Sequence, residues 1–575
     1  MENKKIAQIF YLISEHLEME GVSFKPQAYQ KVALALEDME RDVKDIYEES
    51  GIEGLKKIPG VGESIASKIK EYLETGKIKY YEKLKKKAPL DLEALTAVEG
   101  LGPKRIKDLY EKLDIRNIED LEKAAEKHKI APLSGFGERT EKNILQAISF
   151  LKKSKGRFLL GDILPVAHEI KEKLAGLKEV KKIDIVGSLR RKKETIGDLD
   201  FLIISSQPGK VMDFFVSLPG VVKVWGKGET KSSVRMEQGF DVDIRVIPPE
   251  SYGAALQYFT GSKQHNIATR RIAISKGLKL NEYGLFKEEK RIAGETEEKI
   301  YETLGMGWIP PEMRRDEGEV EAALEGKLPK LLKTEDVKGD LHCHSSWNGG
   351  ENSIKELVGK AQELGYQYLG IADHTKFLRI ENGLDEKQLS EQRKEIEKMN
   401  SSFKQKDSRF RVLQGAETNI LNNGSIDIEN EALAKLDYVI AGIHSKMKMA
   451  EKEMTERIIG AMKNPHVNII SHPTGRLLKK REEYKVDFGK ILRAAKEFNV
   501  CLEINSYPQR LDLHDTYIRR CKQEGVKMVI NTDAHQKNQM RYMELGVAQA
   551  RRGWAEKDDI INTLPISKLI KVFNK

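Results

Sequence analysis

The spacing of apolar positions changes twice along the 575 residues. Over residues 1–150 apolar side chains recur every three or four positions, as in Ile6, Ile9, Phe10, Ile13 and Leu17. That is the spacing of one helix face, so the region predicts a run of short helices. From about 155 the pattern tightens. VKKIDIVGSLRR, DLDFLII and FDVDIRVIP read as strands, and VAHEIKEKLAGL reads as a helix between them, predicting a mixed α/β region. After 339 short apolar runs (YLGIADH, FRVLQGAETNI, DYVIAGIHS, VNIISHP, VCLEINS, KMVINTDAH) alternate with long amphipathic stretches. Such alternation predicts parallel strands in an α/β barrel or sheet, with polar residues at the strand ends, where α/β barrels carry their active sites.

Between these regions, residues 305–338 hold three prolines, scattered glycines and many charges, and read as a linker. A chain this long exceeds one core, so roughly three to five domains are expected. The net charge of +9 is mild for the length and only hints at a polyanionic partner. Cys343, Cys501 and Cys521 are too far apart for a disulfide framework or a zinc knuckle, which fits a reducing compartment. MENKKIAQIF does not read as a signal peptide. No apolar run reaches the roughly 18–20 residues of a membrane span, so no membrane partner is expected.

The helical region contains an uneven internal repeat: IPGVGESIASKI (58–69), VEGLGPKRIKDL (98–109) and LSGFGERTEKNI (133–144). Each sets a glycine pair (Gly60 and Gly62, Gly100 and Gly102, Gly135 and Gly137) before a helix start. Glycine permits the tight turn and close approach of a ligand, and the free N–H groups of a helix start can hold a phosphate. One such motif is usually an ordinary turn; three resemble helix-hairpin-helix motifs, which grip the DNA backbone without reading its sequence.

In GSLRRKKETIGDLDFLII, Asp198 and Asp200 stand two apart, on one face of a strand. Carboxylates that close repel, and a divalent cation relieves the repulsion. Asp243, in FDVDIRVIP, can come alongside on a second strand. Three carboxylates can hold two Mg²⁺ ions, one for an attacking hydroxyl and one for a leaving pyrophosphate. Gly187 and Ser188 follow a strand and can offer donors to a phosphate, and Arg191 can neutralise one.

GSLRRKKETIGDLD resembles the signature of the X family of DNA polymerases, and the similarity continues through DVDIRVIPPESYGAALQYFTGSKQHNIATRRIAISKGLKLNEYGL to WIPPEMR. The resemblance implies that Asp198, Asp200 and Asp243 are catalytic, with Asp243 chosen over its neighbour Asp241. It implies that Gly187, Ser188 and Arg191 bind triphosphate, and that Tyr258, Phe259, Gly261, Asn266 and Arg270 surround the incoming nucleotide and template. Lys68 falls on the position of a lysine that forms a Schiff base with an abasic sugar, a role that needs a depressed pKa from burial or from cations such as Lys25, Lys31 or Lys70. A contact to a DNA phosphate is an equally good reading of Lys68. K⁺ or Na⁺ is expected at the hairpin motifs.

Six of the twelve histidines end or follow apolar runs in the last 240 residues: His342, His344, His374, His444, His472 and His535. Glu417 and Asp533 occupy equivalent places. Two histidines in His-x-His on a strand point the same way, and Cys343 then points away as a packing residue. A lone strand histidine is usually a core residue, but eight such groups at matching strand ends suit Zn²⁺ or Mn²⁺ in a hydrolytic centre. This half resembles the polymerase and histidinol phosphatase (PHP) domain, a seven-stranded α/β barrel with two to three ions. The resemblance implies 3′–5′ exonuclease activity, with AP-endonuclease or 3′-phosphatase activity beside it. One position departs: Gly349 stands where a ligand aspartate is expected, beside His374 and His535. Asn348 and Glu351 are its nearest substitutes, and Asn419 stands where an acidic residue is common.

The expected architecture is a multidomain α/β chain: a helical helix-hairpin-helix region, a polymerase-beta-like palm and a (βα)7-type PHP barrel. Its boundaries are 1–85, a lyase-like domain with the first hairpin; 86–155, with two further hairpins; and 156–248, the palm. Residues 249–317 form a nucleotide-binding subdomain, 318–338 a linker and 339–575 the PHP domain. The expected activity is gap-filling repair synthesis on gapped or primer-template DNA with dNTPs, by a prokaryotic, cytoplasmic, nucleoid-associated monomer. The alternative keeps the polymerase but makes the PHP domain weakly active or structural because of Gly349.

Overall fold

The computed structural model describes residues 2–39, 41–98, 100–154, 156–378, 382–405 and 410–574. The chain divides into two compact units, residues 1–155 with 479–482, and the remainder.

The first unit is helical. Helix Glu2–Met19 buries Ile6, Phe10, Ile13 and Leu17, the face its spacing predicts. One apolar cluster gathers these with Val32, Leu55, Val61 and Ile69; a second is built from Leu92, Val98, Ile106, Leu121 and Ile144. The three glycine pairs lie at helix starts. Gly62 and Gly102 are the N-caps of Glu63–Thr75 and Pro103–Leu113, and Gly137 precedes Glu138–Ser154.

The second unit begins with a five-stranded mixed sheet. Its order is Val180–Ile185, Asp198–Ser205, Asp241–Val246, Lys231–Met236 and Val221–Lys227, with only the second and third strands parallel. Leu160, Ile163, Leu199, Phe201 and Ile244 form the core on which helix Leu160–Ala175 packs. Helices Tyr252–Thr260 and Lys263–Ser275 and a three-stranded antiparallel sheet follow.

Residues 318–338, read as a linker, are packed structure. Helix Glu319–Leu324 buries Val320 and Ala323, and Glu319 accepts from His265 Nδ1 at 2.8 Å. Leu331 and Leu332 are buried as well, with the Leu332 amide on the Ala555 carbonyl at 3.0 Å. These few apolar anchors are hidden in the sequence among charges and glycines.

In the C-terminal region every strand is parallel to its neighbours. A three-stranded sheet (Gly339–Cys343, Tyr368–Ile371, Arg411–Gln414) and a five-stranded sheet (Glu417–Asn419, Ile440–Gly442, Ile469–Ile470, Cys501–Asn505, Met528–Asn531) meet at both margins. Parallel bridges pair His374 with Glu417 and Cys343 with Ala534. Residues 411–419 are nearly continuous, so the pairings run round as a ring of seven. Its strands are buried on both faces, as their apolar runs require. No helix among the described residues is long and apolar enough to cross a membrane.

Candidate active sites

Asp200 and Asp243 are direct partners across the parallel pair, and Asp198 is the partner of Asp241. Period-two geometry therefore places four carboxylates on one face. Asp241 is already neutralised: Arg235 holds both its oxygens, one at 2.8 Å, and Trp225 Nε1 donates to it at 2.8 Å. That leaves Asp198, Asp200 and Asp243 as the set open to a cation. Burial first, then the charges of Asp198 and Asp243, push the Asp200 carboxyl up to about 7. Lys231 approaches Asp243 only at 3.7 Å.

Gly187 lies directly behind this set. Its φ of 65° is left-handed, and a Cβ there would stand 2.2 Å from Asp200 Oδ2, so only glycine fits. The Ser188 hydroxyl is buried without a hydrogen-bond partner among the described residues, as suits a group that waits for a ligand. Arg191 donates to the Thr260 carbonyl. Burial, then the nearby Arg552 and Arg314, lower its pKa to about 10, so a polyanion would relieve crowded positive charge. Tyr258 and Phe259 end helix Tyr252–Thr260, with their rings edge to face at 5.1 Å and Arg245 over Phe259 at 4.6 Å. Gly261 ends this helix with φ 67°. Asn266 donates to the Tyr258 carbonyl at 2.7 Å, and Arg270, one turn on, donates to the Asn266 carbonyl at 3.0 Å.

In the helical unit Gly60, Gly100, Gly135 and Gly137 have positive φ. At Gly62, Gly100, Gly102, Gly135 and Gly137 no atom of the described residues, chain neighbours aside, lies within 4 Å of where a Cβ would stand. Packing does not demand glycine there, and the open space admits a ligand backbone. Lys68 Nζ lies 5.3 Å from the Tyr80 ring centroid and 6.0 Å from that of Tyr29, and donates to Ser64 Oγ at 2.9 Å. Burial lowers its pKa, and the charge of Lys25 adds to the depression.

The eight groups at the barrel strand ends come together. Ligand atoms of His342, His344, Glu417 and Asp533 lie within 4.8 Å of one another. The same holds for His374, Glu417 and His444, and for His344, His374 and His535. Glu417 joins two of these sets, and His472 Nε2 lies 3.0 Å from its Oε1. His342 Nε2, His344 Nδ1 and His472 Nδ1 are buried without a hydrogen-bond partner among the described residues. Orphaned ring nitrogens in a cage of mixed imidazole and carboxylate fit transition-metal ions. Against burial, His342, His374 and His444 hold Glu417 far below the usual carboxylate range. Burial, then His535 and His374, push His344 far below the usual imidazole value, which keeps it the neutral ligand a metal needs.

Gly349, with φ 65°, brings no carboxylate to the His344–His374–His535 set, which is imidazole alone. Asn348 Oδ1 accepts from the His374 amide at 3.0 Å, so it holds backbone. Cys343 is buried in an apolar cluster, outside all three sets.

Sequence reading missed the residues that orient these rings. Glu503 accepts from His342 Nδ1 at 2.7 Å, and Asn419 from His444 Nδ1 at 2.8 Å, leaving each Nε2 to face Glu417. Arg510 stands 3.4 Å from Asp533. The available signal was a lone carboxylate, Glu503, inside the apolar run VCLEINS.

Four stretches of the chain match known protein families. Residues 1–78 match a helix-hairpin-helix domain, 92–149 a SAM-like helix-hairpin-helix tandem, 255–315 the DNA polymerase beta thumb and 340–507 the PHP domain. A Bacillus subtilis protein called DNA polymerase/3′-5′ exonuclease PolX is 37% identical over 570 residues, 98% of this chain and 97% of that protein. A probable phosphatase of Caldicellulosiruptor bescii is 30% identical over 215 residues, 34% of this chain and 80% of its own. Leishmania infantum polymerase beta, solved as a ternary P/T complex, aligns at 25% identity over 39% of this chain and 97% of its own, with a TM-score of 0.26. With one relative matched almost end to end, and with the aspartate set and histidine cage both in place, the chain belongs to the family X DNA polymerases that carry a C-terminal PHP domain.

Proposed function

We propose that this polymerase fills short gaps during DNA repair, adding nucleotides at Asp198, Asp200 and Asp243 and removing 3′ nucleotides at the histidine cage. The observation that carries the reading is the strand register that sets Asp200 beside Asp243 and two residues from Asp198, with Asp241 set aside by Arg235. Two Mg²⁺ ions at these carboxylates would supply the charge that activates a 3′-hydroxyl and stabilises leaving pyrophosphate. Gly187, Ser188 and Arg191 hold the dNTP triphosphate. Tyr258, Phe259, Gly261, Asn266 and Arg270 line the base and template side. The hairpin glycines, with K⁺ or Na⁺, hold the backbone of gapped DNA. Lys68, between two tyrosines and with its pKa lowered by burial, either forms a Schiff base with an abasic sugar or contacts a DNA phosphate. The protein works as a monomer.

In the cage, Zn²⁺ or Mn²⁺ held by His342, His344, His374, Glu417, His444, His472, Asp533 and His535 would supply an activated water for phosphodiester cleavage. Glu503 and Asn419 keep the rings aimed inward, and Arg510 offers a cation to the scissile phosphate. AP-endonuclease and 3′-phosphatase activities draw on the same chemistry. A second reading, a weakly active barrel, is favoured by the all-imidazole set beside Gly349. Primer extension on a one-nucleotide gap, with Mg²⁺ and with Mn²⁺, scoring lengthening and shortening, tests both. Extension with shortening supports the first reading. Extension alone, in protein that retains fewer than three ions, supports the second, and absence of extension contradicts both.

A further inference from the structure

Residues 191–194 (Arg-Lys-Lys-Glu) join the turn carrying Gly187 and Ser188 to the strand carrying Asp198 and Asp200. The segment is an irregular loop, with Lys192 at φ 51°. Within the palm the Leu160 amide donates to the Glu194 carbonyl at 3.0 Å and the Lys193 amide to the Ser188 carbonyl at 3.1 Å, and the histidine barrel, which lies in the same compact unit, adds side-chain support at both ends. Arg552, at the end of helix Met543–Arg552, donates to the Arg191 carbonyl at 3.0 Å and to Asp515 at 2.6 Å. Arg476 grips both oxygens of Glu194 at 3.3 and 2.7 Å, while its Nε donates to the Arg510 carbonyl at 3.1 Å. Gln549 adds a 3.5 Å contact to Glu194. Against burial, Arg476 and His514 hold the Glu194 carboxyl below its usual range.

The apolar packing at this seam is equally close. Leu511 and Leu545 belong to the same buried cluster as Leu160, Ile163, Leu199 and Phe201. A Cβ on Gly161 would stand 2.7 Å from Pro508, so the two surfaces admit nothing between them. A binding loop without regular structure is precise only when neighbouring groups lock it. Here one barrel arginine locks each end: Arg552 at Arg191 and Arg476 at Glu194.

We propose that Arg552 and Arg476 are positioning residues of the nucleotidyl-transfer site, through which the PHP barrel holds the 191–194 loop, and with it the triphosphate-binding turn, in its binding conformation. The barrel then serves nucleotide addition whatever its own hydrolytic activity and whatever Gly349 costs its metal cage. The inference rests on the assignment of Gly187, Ser188 and Arg191 to the triphosphate.

The test is single-nucleotide gap filling by the full chain, with kcat and KM for dNTP measured separately. Arg552→Met keeps Asp515 paired, because Arg315 and His514 also reach it. It is expected to raise KM about ten-fold, the loss of one charge-assisted hydrogen bond, with kcat, melting temperature and 3′ degradation close to wild type. Arg552→Lys is expected to recover part of the loss. Arg191→Ala serves as the reference. If it raises KM and folded Arg552→Met does not, the positioning role is overturned; if Arg191→Ala itself leaves KM unchanged, the triphosphate assignment fails and the proposal with it. Should Arg552→Met not fold, Glu194→Gln, Arg476→Gln and their double variant decide. A raised KM that is no worse in the double variant supports the proposal, and an unchanged KM in all three overturns it.

Discussion

The aspartate site and the histidine cage both gather ionisable side chains at strand ends, yet they handle charge differently. In the aspartate site the protein leaves carboxylates in excess. Arg235 is committed to Asp241, Lys231 stands off at 3.7 Å, and Asp200 resists ionisation up to about 7. In the cage, charges of both signs are interleaved and the floor is buried: His342, His344, Glu417 and Glu503 have side chains at most 1% exposed, and only the rim opens, at His535. An open, electron-rich set suits ions that arrive with a nucleotide and leave with pyrophosphate. A buried, ring-oriented set suits ions that stay.

The largest expected effect follows from the open site's dependence on its carboxylates. Asp200→Ala should lower nucleotide addition by at least about 10³-fold and leave 3′ degradation intact, as read from primer extension and shortening. Next comes the cage's dependence on oriented rings. Glu503→Gln should weaken metal retention about 10–100-fold, measured as ions per chain after dialysis, with nucleotide addition unchanged.

A smaller effect sharpens the contrast within the cage itself. Gly349 sits at φ 65°, a conformation aspartate tolerates better than most residues. Gly349→Asp should complete the His344–His374–His535 set with a carboxylate, raise the retained ions toward three and increase Mn²⁺-dependent degradation about ten-fold, roughly one charged ligand's worth. An unchanged ion count would mean the imidazoles alone suffice.

The smallest effect is a pH dependence. Asp200 keeps its proton to about 7 in the fold against a free value of 3.8. The folded state therefore binds more protons than the unfolded state between those values, and metal-free stability falls as pH rises across that window. Mg²⁺ offsets the same repulsion. Its stabilising shift in melting temperature should be about 1–2 °C at pH 8, the effect of about 1–2 kcal/mol on a chain this long, and shrink toward pH 6. Asp200→Asn should remove the pH dependence of the shift.

Much of both sites was legible because their residues lie at local spacings. Period two places Asp198 with Asp200 and His342 with His344, and the strand-end position of each histidine follows from the apolar run before it. What the spacing left open was decided by distant partners. The choice of Asp243 over Asp241 depends on Arg235 and Trp225, which sit on the hairpin Val221–Lys227 and Lys231–Met236, outside the strands named from the sequence. Glu503 finds His342 across 161 residues, and Arg476 finds Glu194 across 282. Residues 318–338 read as a linker because five buried apolar side chains are outnumbered by their charged neighbours. No local pattern encodes the long-range pairs: Glu503 meets His342 only once the barrel has closed, and Arg476 meets Glu194 only once the barrel has packed against the sheet.

The central claim, two chemically separate sites in one chain, is tested most directly by a labelled primer on a one-nucleotide gap with Asp243→Ala and His344→Ala side by side. The account predicts that Asp243→Ala still shortens the primer but no longer extends it, and that His344→Ala extends it but no longer shortens it. Loss of both activities in either folded variant, or survival of extension in Asp243→Ala, would contradict it.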